Sequence, residues 1–240
     1  RVGAGTCERI ALEPAGLVAI TTVDLSTDGR ALIMATSRPD LTGQAVVIDL
    51  ARNTRRVLPG AGAAHTRVRF APDVARLALG SEDNTASLWS RSGAPVATLA
   101  GHLQRVYALA FTPDSQQLIT GGSDGAIRVW DGATGAVRRG LDAHRAEVTR
   151  LRVVDDHLFS TSADGTANVW DLASSALTTT VRHGSFIRDL ALRLDDDGAP
   201  DLMATAGWDG LIDLWQVEGP TSLHTFARAA ARDQAPPLLS

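Results

Sequence analysis

Lysine is absent from this 240-residue sequence, and all 23 basic residues are arginine. That absence excludes Schiff-base catalysis and the phosphate-cradling lysine of a P-loop, because both need a primary amine on a flexible stem. Cysteine is nearly absent too. Cys7 is alone and cannot form an internal disulfide, which fits a reducing cytosol and a cytoplasmic location. Apolar stretches such as Leu17 to Ile20 and Val46 to Ile48 are far shorter than the ~20 residues that span a bilayer, so no membrane partner is expected. Nothing in Arg1 to Thr6 reads as a charged region followed by an apolar one, and there is no initiator methionine. The sequence therefore reads as a mature product or a segment of something longer. Positive charge is scattered and the formal net charge is −4, which argues against a dedicated nucleic-acid surface. Arginine-only basic usage points to a GC-rich genome, and so to a bacterial source such as an actinobacterium.

What is present is globular in character. Hydrophobic residues make up 44% and charged residues 21%, which excludes a disordered chain, and the 22 glycines follow no Gly-X-Y period. Internal repetition organises the rest. Tryptophan closes a short apolar or β-branched run at Trp89, Trp130, Trp170 and Trp215, at intervals of 41, 40 and 45 residues. One period before Trp89 lies Ile48, where Ile-Asp-Leu replaces the aromatic ending, which makes five repeats.

Each period holds four short runs separated by turn residues. In the clearest one they are Val106 to Phe111, Gln117 to Thr120, Ala126 to Trp130 and Val137 to Leu141, separated by Thr112-Pro-Asp-Ser, Ser123-Asp-Gly and Gly132-Ala-Thr-Gly. Runs of four to six residues cut by Pro, Asp and Gly predict antiparallel strands joined by tight turns. The unit is a four-stranded sheet. Alone it cannot bury both faces, so successive units must pack face to face around an axis.

These residues resemble the WD-repeat β-propeller family. Gly101-His102, Phe111-Thr-Pro-Asp114, Thr120-Gly-Gly-Ser-Asp124-Gly and Trp130-Asp131 stand at that family's spacings, and Trp170-Asp171 repeats the ending. The resemblance runs over about 200 residues, from Leu17 through Trp215, and is weakest in the first repeat. It implies an all-β propeller of four-stranded antiparallel blades, with about five blades in residues 1–227 and a tail over 228–240. It also implies that an N-terminal outer strand, such as Glu8 to Leu12, completes the last blade. Leu223 to Phe226 would then be redundant in a closed five-bladed ring, which favours a piece of a larger, seven-bladed propeller.

Histidine, hydroxyl and aspartate recur together in a way that superficially suggests nucleophilic triads. The sets are His102, Thr120, Asp124 and Trp130; His144, Ser160, Asp164 and Trp170; and His183, Thr205, Asp209 and Trp215. The resemblance implies instead a buried structural relay, in which Asp fixes the imidazole, the imidazole meets the hydroxyl, and the hydroxyl accepts the indole N–H. Three copies at blade spacing do not suit an enzyme's single exposed nucleophile. In the second repeat His65, Asp83 and Trp89 are present but Leu79 holds the hydroxyl position, so its relay reads as broken.

Other motifs fail on context. Gly121-Gly-Ser123-Asp-Gly125 spells a nucleophile elbow, yet a strand follows where a helix is required. Gly3-Ala-Gly5 and Gly60-Ala-Gly62 open no helix of a βαβ unit. Asp195 to Asp201 lacks the spacing of a calcium loop and reads as a solvated hairpin insertion. No zinc-ligand spacing occurs, so no metal, no cofactor and no catalytic residue is expected.

The remaining signal is aromatic and arginine residues on one rim. In the family the Gly-His loops and the Asp turns share a rim, which picks out Arg105, Tyr107, Arg145, Glu147, Phe186, Arg188 and Trp208 as binding candidates. Tyr107 and Phe186 read equally as channel or core filling. Trp208 stands where a small polar residue would serve, since its repeat already has Trp215. The expected function is a non-catalytic protein-interaction scaffold or sensor, a module of a larger bacterial signalling, regulatory or defence protein. Its partner would be a protein or another domain of the same polypeptide. A propeller hydrolase with a central-channel site and a nucleic-acid-binding propeller are the alternatives.

Overall fold

The computed structural model describes residues 19–37, 42–59, 63–218 and 222–230. Among these residues, twenty strands form five sheets. Blade 1 is β1 (Ala19–Leu25), β2 (Ala31–Ser37), β3 (Gly43–Asp49) and β4 (Thr54–Val57). Blade 2 is β5 (His65–Phe70), β6 (Arg76–Ser81), β7 (Ala86–Ser90) and β8 (Pro95–Leu99). Blade 3 is β9 (Val106–Phe111), β10 (Gln117–Gly122), β11 (Ala126–Asp131) and β12 (Val137–Asp142). Blade 4 is β13 (Val148–Val154), β14 (His157–Ser162), β15 (Thr166–Asp171) and β16 (Ala176–Arg182), and blade 5 is β17 (Ile187–Leu194), β18 (Pro200–Gly207), β19 (Leu211–Glu218) and β20 (Ser222–Ala230). Every pairing within a blade is antiparallel between strands consecutive in sequence, as short runs joined by tight turns require.

The turns are fixed by side chains. Between β9 and β10, Asp114 accepts hydrogen bonds from the Thr112 hydroxyl (2.6 Å) and the Gln116 amide (2.9 Å), and this clasp holds Ser115 at φ 61°. Between β10 and β11, Gly125 takes φ 78° with the His144 carbonyl against the site a Cβ would occupy, so only glycine fits.

Blade faces bury one another. Ile33, Ala35 and Val47 of blade 1 pack with Val68, Phe70, Leu77 and Leu79 of blade 2. Leu88 and Leu99 of blade 2 meet Leu109, Phe111, Leu118 and Trp130 of blade 3. Blade 3 packs on Leu151, Leu158 and Trp170, and Phe159 and Val169 pack on Ile187, Met203 and Trp215. Threonines near the start of the innermost strands tie neighbours together through their hydroxyls. Thr21 donates to the His65 carbonyl (2.8 Å), Thr66 to that of Val106, and Thr149 to that of Ile187 (2.7 Å).

Innermost strands stack in the order β1, β5, β9, β13 and β17, and no comparable contact joins β17 back to β1 among the described residues. The described blades therefore form an open arc. Ile20, Val23 and Leu25 on β1 are about half exposed, which is unusual for apolar residues of an innermost strand. Blade 5 is completed by its own β20, which pairs with β19 from Glu218↔Ser222 to Leu211↔Ala230. Residues 223–226 are thus a needed outer strand, and regular pairing runs three residues past the boundary expected at 227. Glu8 to Leu12 and Cys7 lie outside the described residues.

Candidate functional site

Two features come from the recurring residues: buried relays inside the blades, and a pocket on the rim above them. In blade 3 the His102 ring lies with Nδ1 3.0 Å from Asp124 Oδ1 and Nε2 2.7 Å from Thr120 Oγ1, and Trp130 Nε1 donates to the same hydroxyl at 2.9 Å. With the Nδ1 proton assigned to the carboxylate, Nε2 accepts from the threonine, and the Arg128 guanidinium also lies 2.9 Å from Nδ1. Blade 4 repeats the chain through His144, with Nε2 2.9 Å from Ser160 Oγ, Nδ1 3.5 Å from Asp164, and Trp170 donating to Ser160 at 3.0 Å. His144 Nδ1 also lies 2.8 Å from the Thr166 hydroxyl. In blade 5 the ring is turned over: His183 Nδ1 meets Thr205 at 2.9 Å and Nε2 meets Asp209 at 3.3 Å. A second carboxylate, Asp213, stands 3.2 Å from Nδ1.

All three imidazoles are fully buried. Burial pushes the His102 and His144 pKa values below the usual histidine range, against the pull of Asp124 and Asp164, and the Arg128 guanidinium beside His102 adds to the depression. Burial would raise the Asp124 pKa, but hydrogen bonds from the Leu103 amide and His102 outweigh it and hold the carboxyl below its ordinary value. A nucleophile must reach solvent, and these hydroxyls do not: Thr120, Ser160 and Thr205 are all completely buried.

Blade 2 differs from its sequence-based reading in the place of its histidine. His65 sits inside β5, at the strand position that Val106 holds in blade 3, and not in the loop where His102, His144 and His183 stand. With Leu79 buried in the core, the Trp89 indole donates instead to Ser87 Oγ on its own strand at 2.8 Å. The lost relay is replaced locally.

Above the relays, Arg105, Tyr107, Glu147, Thr149, Arg150, Phe186, Arg188 and Trp208 line a cavity of about 300 Å³. The β13 and β17 starts, the Gly-His loops and the β18–β19 turn bring these side chains together across blades 3, 4 and 5. Trp208 is 65% exposed, and its indole stacks on Phe186 with ring centroids 4.6 Å apart. The Arg188 guanidinium stands 5.7 Å from the Trp208 ring centre. Tyr107 and Phe186 are half-buried and wall the cavity. Glu147 is held by the Ser123 hydroxyl at 2.6 Å. Arg145 is the exception among the seven candidates. Its side chain is exposed and outside the cavity wall, and its role in the loop is carried by its backbone amide, which donates to Asp164 at 2.8 Å.

Arg150 and Thr149 were not among the residues picked from the sequence, nor was Arg67, whose guanidinium lies 6.0 Å from the Tyr107 ring centre. A signal for them exists in the alternation Thr66-Arg-Val-Arg69 and Thr149-Arg-Leu-Arg152, which puts arginines on one side of two innermost strands. No group of three or more His, Cys, Asp or Glu able to hold a metal occurs among the described residues. No helix there is long and apolar enough to cross a membrane.

Comparison with known proteins places these features in context. The family described as "WD domain, G-beta repeat" matches residues 93–131 and 135–171. Apoptotic protease-activating factor 1 of Rattus norvegicus is 30% identical over 195 residues, which is 78% of this chain and 15% of that protein. WD repeat-containing protein 55 of Homo sapiens is 34% identical over 140 residues, 57% of this chain and 33% of that protein. Among solved structures, a chain of the mitotic checkpoint complex superposes with a TM-score of 0.77 at 21% identity, covering 89% of this chain and 65% of that one. The computationally designed Ika8 protein gives 0.74 at 26% identity, covering 89% and 62%. The chain thus spans only a small part of the curated relatives it matches.

Proposed function

We propose that this chain, with its WD-repeat matches on a β-propeller fold, is a non-catalytic interaction module whose rim pocket docks a protein partner or another domain of the same polypeptide. One observation carries the reading: three aromatic rings and three arginines drawn from three separate blades wall a single open cavity. Such residues anchor interfaces, because they cover much area at modest cost in side-chain entropy. The large relatives that share WD repeats with this chain carry them as parts of longer proteins, which supports the same place for it here. In this reading the open arc is completed by further blades of that polypeptide covering the exposed β1 face. The module is cytoplasmic, and serves signalling, regulation or defence in a GC-rich bacterium. The relatives above are animal proteins and lend the bacterial source no support.

Trp208→Ala is expected to weaken partner binding by about 2 kcal/mol, as truncated hot spots do, with the melting temperature nearly unchanged because the ring is solvent-facing. Asp196 and Asp197 lie exposed in the β17–β18 turn at the opposite rim, so the Asp196→Ala, Asp197→Ala double variant should bind normally. Calorimetric titration of both variants against one partner decides the face. Loss of binding in the double variant alone places the partner on the opposite rim.

A further inference from the structure

The pocket and its surroundings hold five arginines, Arg67, Arg69, Arg105, Arg150 and Arg188, against four carboxylates, Asp24, Glu82, Glu147 and Asp189. Arg69 is 3.6 Å from Asp24, Arg150 is 2.8 Å from Asp189, and Arg105 is 3.9 Å from Glu82. Arg67 and Arg188 make no ion pair among the described residues, and each rests instead near an aromatic ring, Tyr107 and Trp208 respectively. Arg67 is the sharper case. Burial, together with the like charges of Arg150 and Arg69, lowers its pKa to about 10, so it still carries its proton at neutral pH. A half-buried cation facing two others is unfavourable in the free protein, and an arriving anion relieves that repulsion on binding.

We infer that this pocket takes an acidic segment of the partner, with carboxylate side chains set against Arg150 and Arg188 in its wall and against Arg67 beside Tyr107 at its edge, and an apolar neighbour resting on the Phe186–Trp208 stack. The inference rests on the rim being the docking surface. A cavity of about 300 Å³ accommodates one or two side chains, a poor match for the bases and phosphates of a nucleic-acid strand. The opposite rim carries Asp114, Asp155, Asp156 and Asp195 to Asp197, and the formal net charge is −4, so a long polyanion meets a hostile field beyond the mouth. A short acidic peptide does not reach it.

The test uses the full chain and a fluorescein-labelled peptide of eight glutamates flanked by leucines, read by anisotropy at low and at physiological salt. Wild-type protein is expected to bind, more weakly as salt rises. Arg67→Gln and Arg150→Gln should each raise Kd about 10-fold, or ~1.4 kcal/mol, and Arg67→Lys should recover part of the loss. Arg138→Gln, on the opposite rim where Arg138 pairs with Asp131, should change nothing. If Arg67→Gln does not fold, Arg188→Gln carries the same test from an exposed position. Binding insensitive to these charges overturns the inference. So does tighter binding of a phosphoserine peptide or a single-stranded oligonucleotide of equal length. If Trp208→Ala weakens the peptide while the arginine variants do not, the rim reading stands and the acidic partner falls. If Trp208→Ala weakens neither peptide nor partner, the rim reading falls as well.

Discussion

Trp130→Ala is expected to lower the free energy of unfolding by about 3–5 kcal/mol. The indole is 3% exposed and packs with Leu88 and Leu99 of blade 2 and with Leu109, Phe111 and Leu118 of its own blade. Its removal leaves a cavity at a seam between two blades, and packing across that seam cannot collapse without moving both sheets. The Thr120 hydroxyl also loses the N–H that it accepts at 2.9 Å. Trp130→Phe separates the two losses, because the ring volume is mostly kept and only the hydrogen bond goes, at a cost nearer ~1 kcal/mol plus imperfect fit. Denaturant midpoints of the three proteins give the answer. A loss below ~1 kcal/mol for Trp130→Ala would show that the seam relaxes freely, contrary to the packing described.

His102→Ala should cost about 2–3 kcal/mol, and its signature lies in the pH dependence. Asp124 would keep the Leu103 amide (2.8 Å) and the Arg128 guanidinium (3.3 Å) but lose the imidazole, and Thr120 would lose the acceptor for its proton. Burial depresses the folded-state pKa of His102 and His144 below the 6.5 of the unfolded chain. Between the two values the unfolded state binds more protons, so stability rises with pH across that window. Their contribution is complete above pH 6.5 and is lost as the pH falls below it through the lowered folded values. Asp124 and Asp164, also held below their ordinary 3.8, give a second loss below that pH. Melting temperatures from pH 7.5 down to 5 should therefore fall in the wild-type protein and fall less in His102→Ala. A parallel decline in both proteins would mean that His102 contributes nothing to it. Retention of wild-type stability with loss of a hydrolytic activity would turn the structural reading of the relay into a catalytic one.

Period and polarity were enough to reveal the blades. Trp89, Trp130, Trp170 and Trp215 recur because each third strand must cover the same seam, and the Asp and Gly turns recur because the same hairpins must close. The strands of blade 3 were legible to within two residues at each end, since alternation and turn chemistry act over a few neighbours. The partners within each relay were legible as well, because spacing along two adjacent strands fixes which side chains can meet. His65 misled for the same reason: its type matched, but its register within β5 was four residues off the loop position. The rim pocket was half legible. Arg105, Tyr107, Glu147, Phe186, Arg188 and Trp208 could be drawn from loop positions, while Arg150 and the adjoining Arg67 could not, and Arg145 stays in its rim loop outside the cavity wall.

The sequence by itself determined the four-stranded unit, its repetition and the side chains buried within each unit, because all of these follow from contacts between residues close along the chain. Only the tertiary structure decided that Arg67 and Arg150 come close to one another, that Trp208 stacks on Phe186, that β20 pairs with β19, and that among the described residues β17 makes no contact with β1 comparable to those between neighbouring blades. Those facts depend on the rotation from one blade to the next. That rotation is set by how whole faces pack, a sum over many small contacts that no short stretch of sequence encodes.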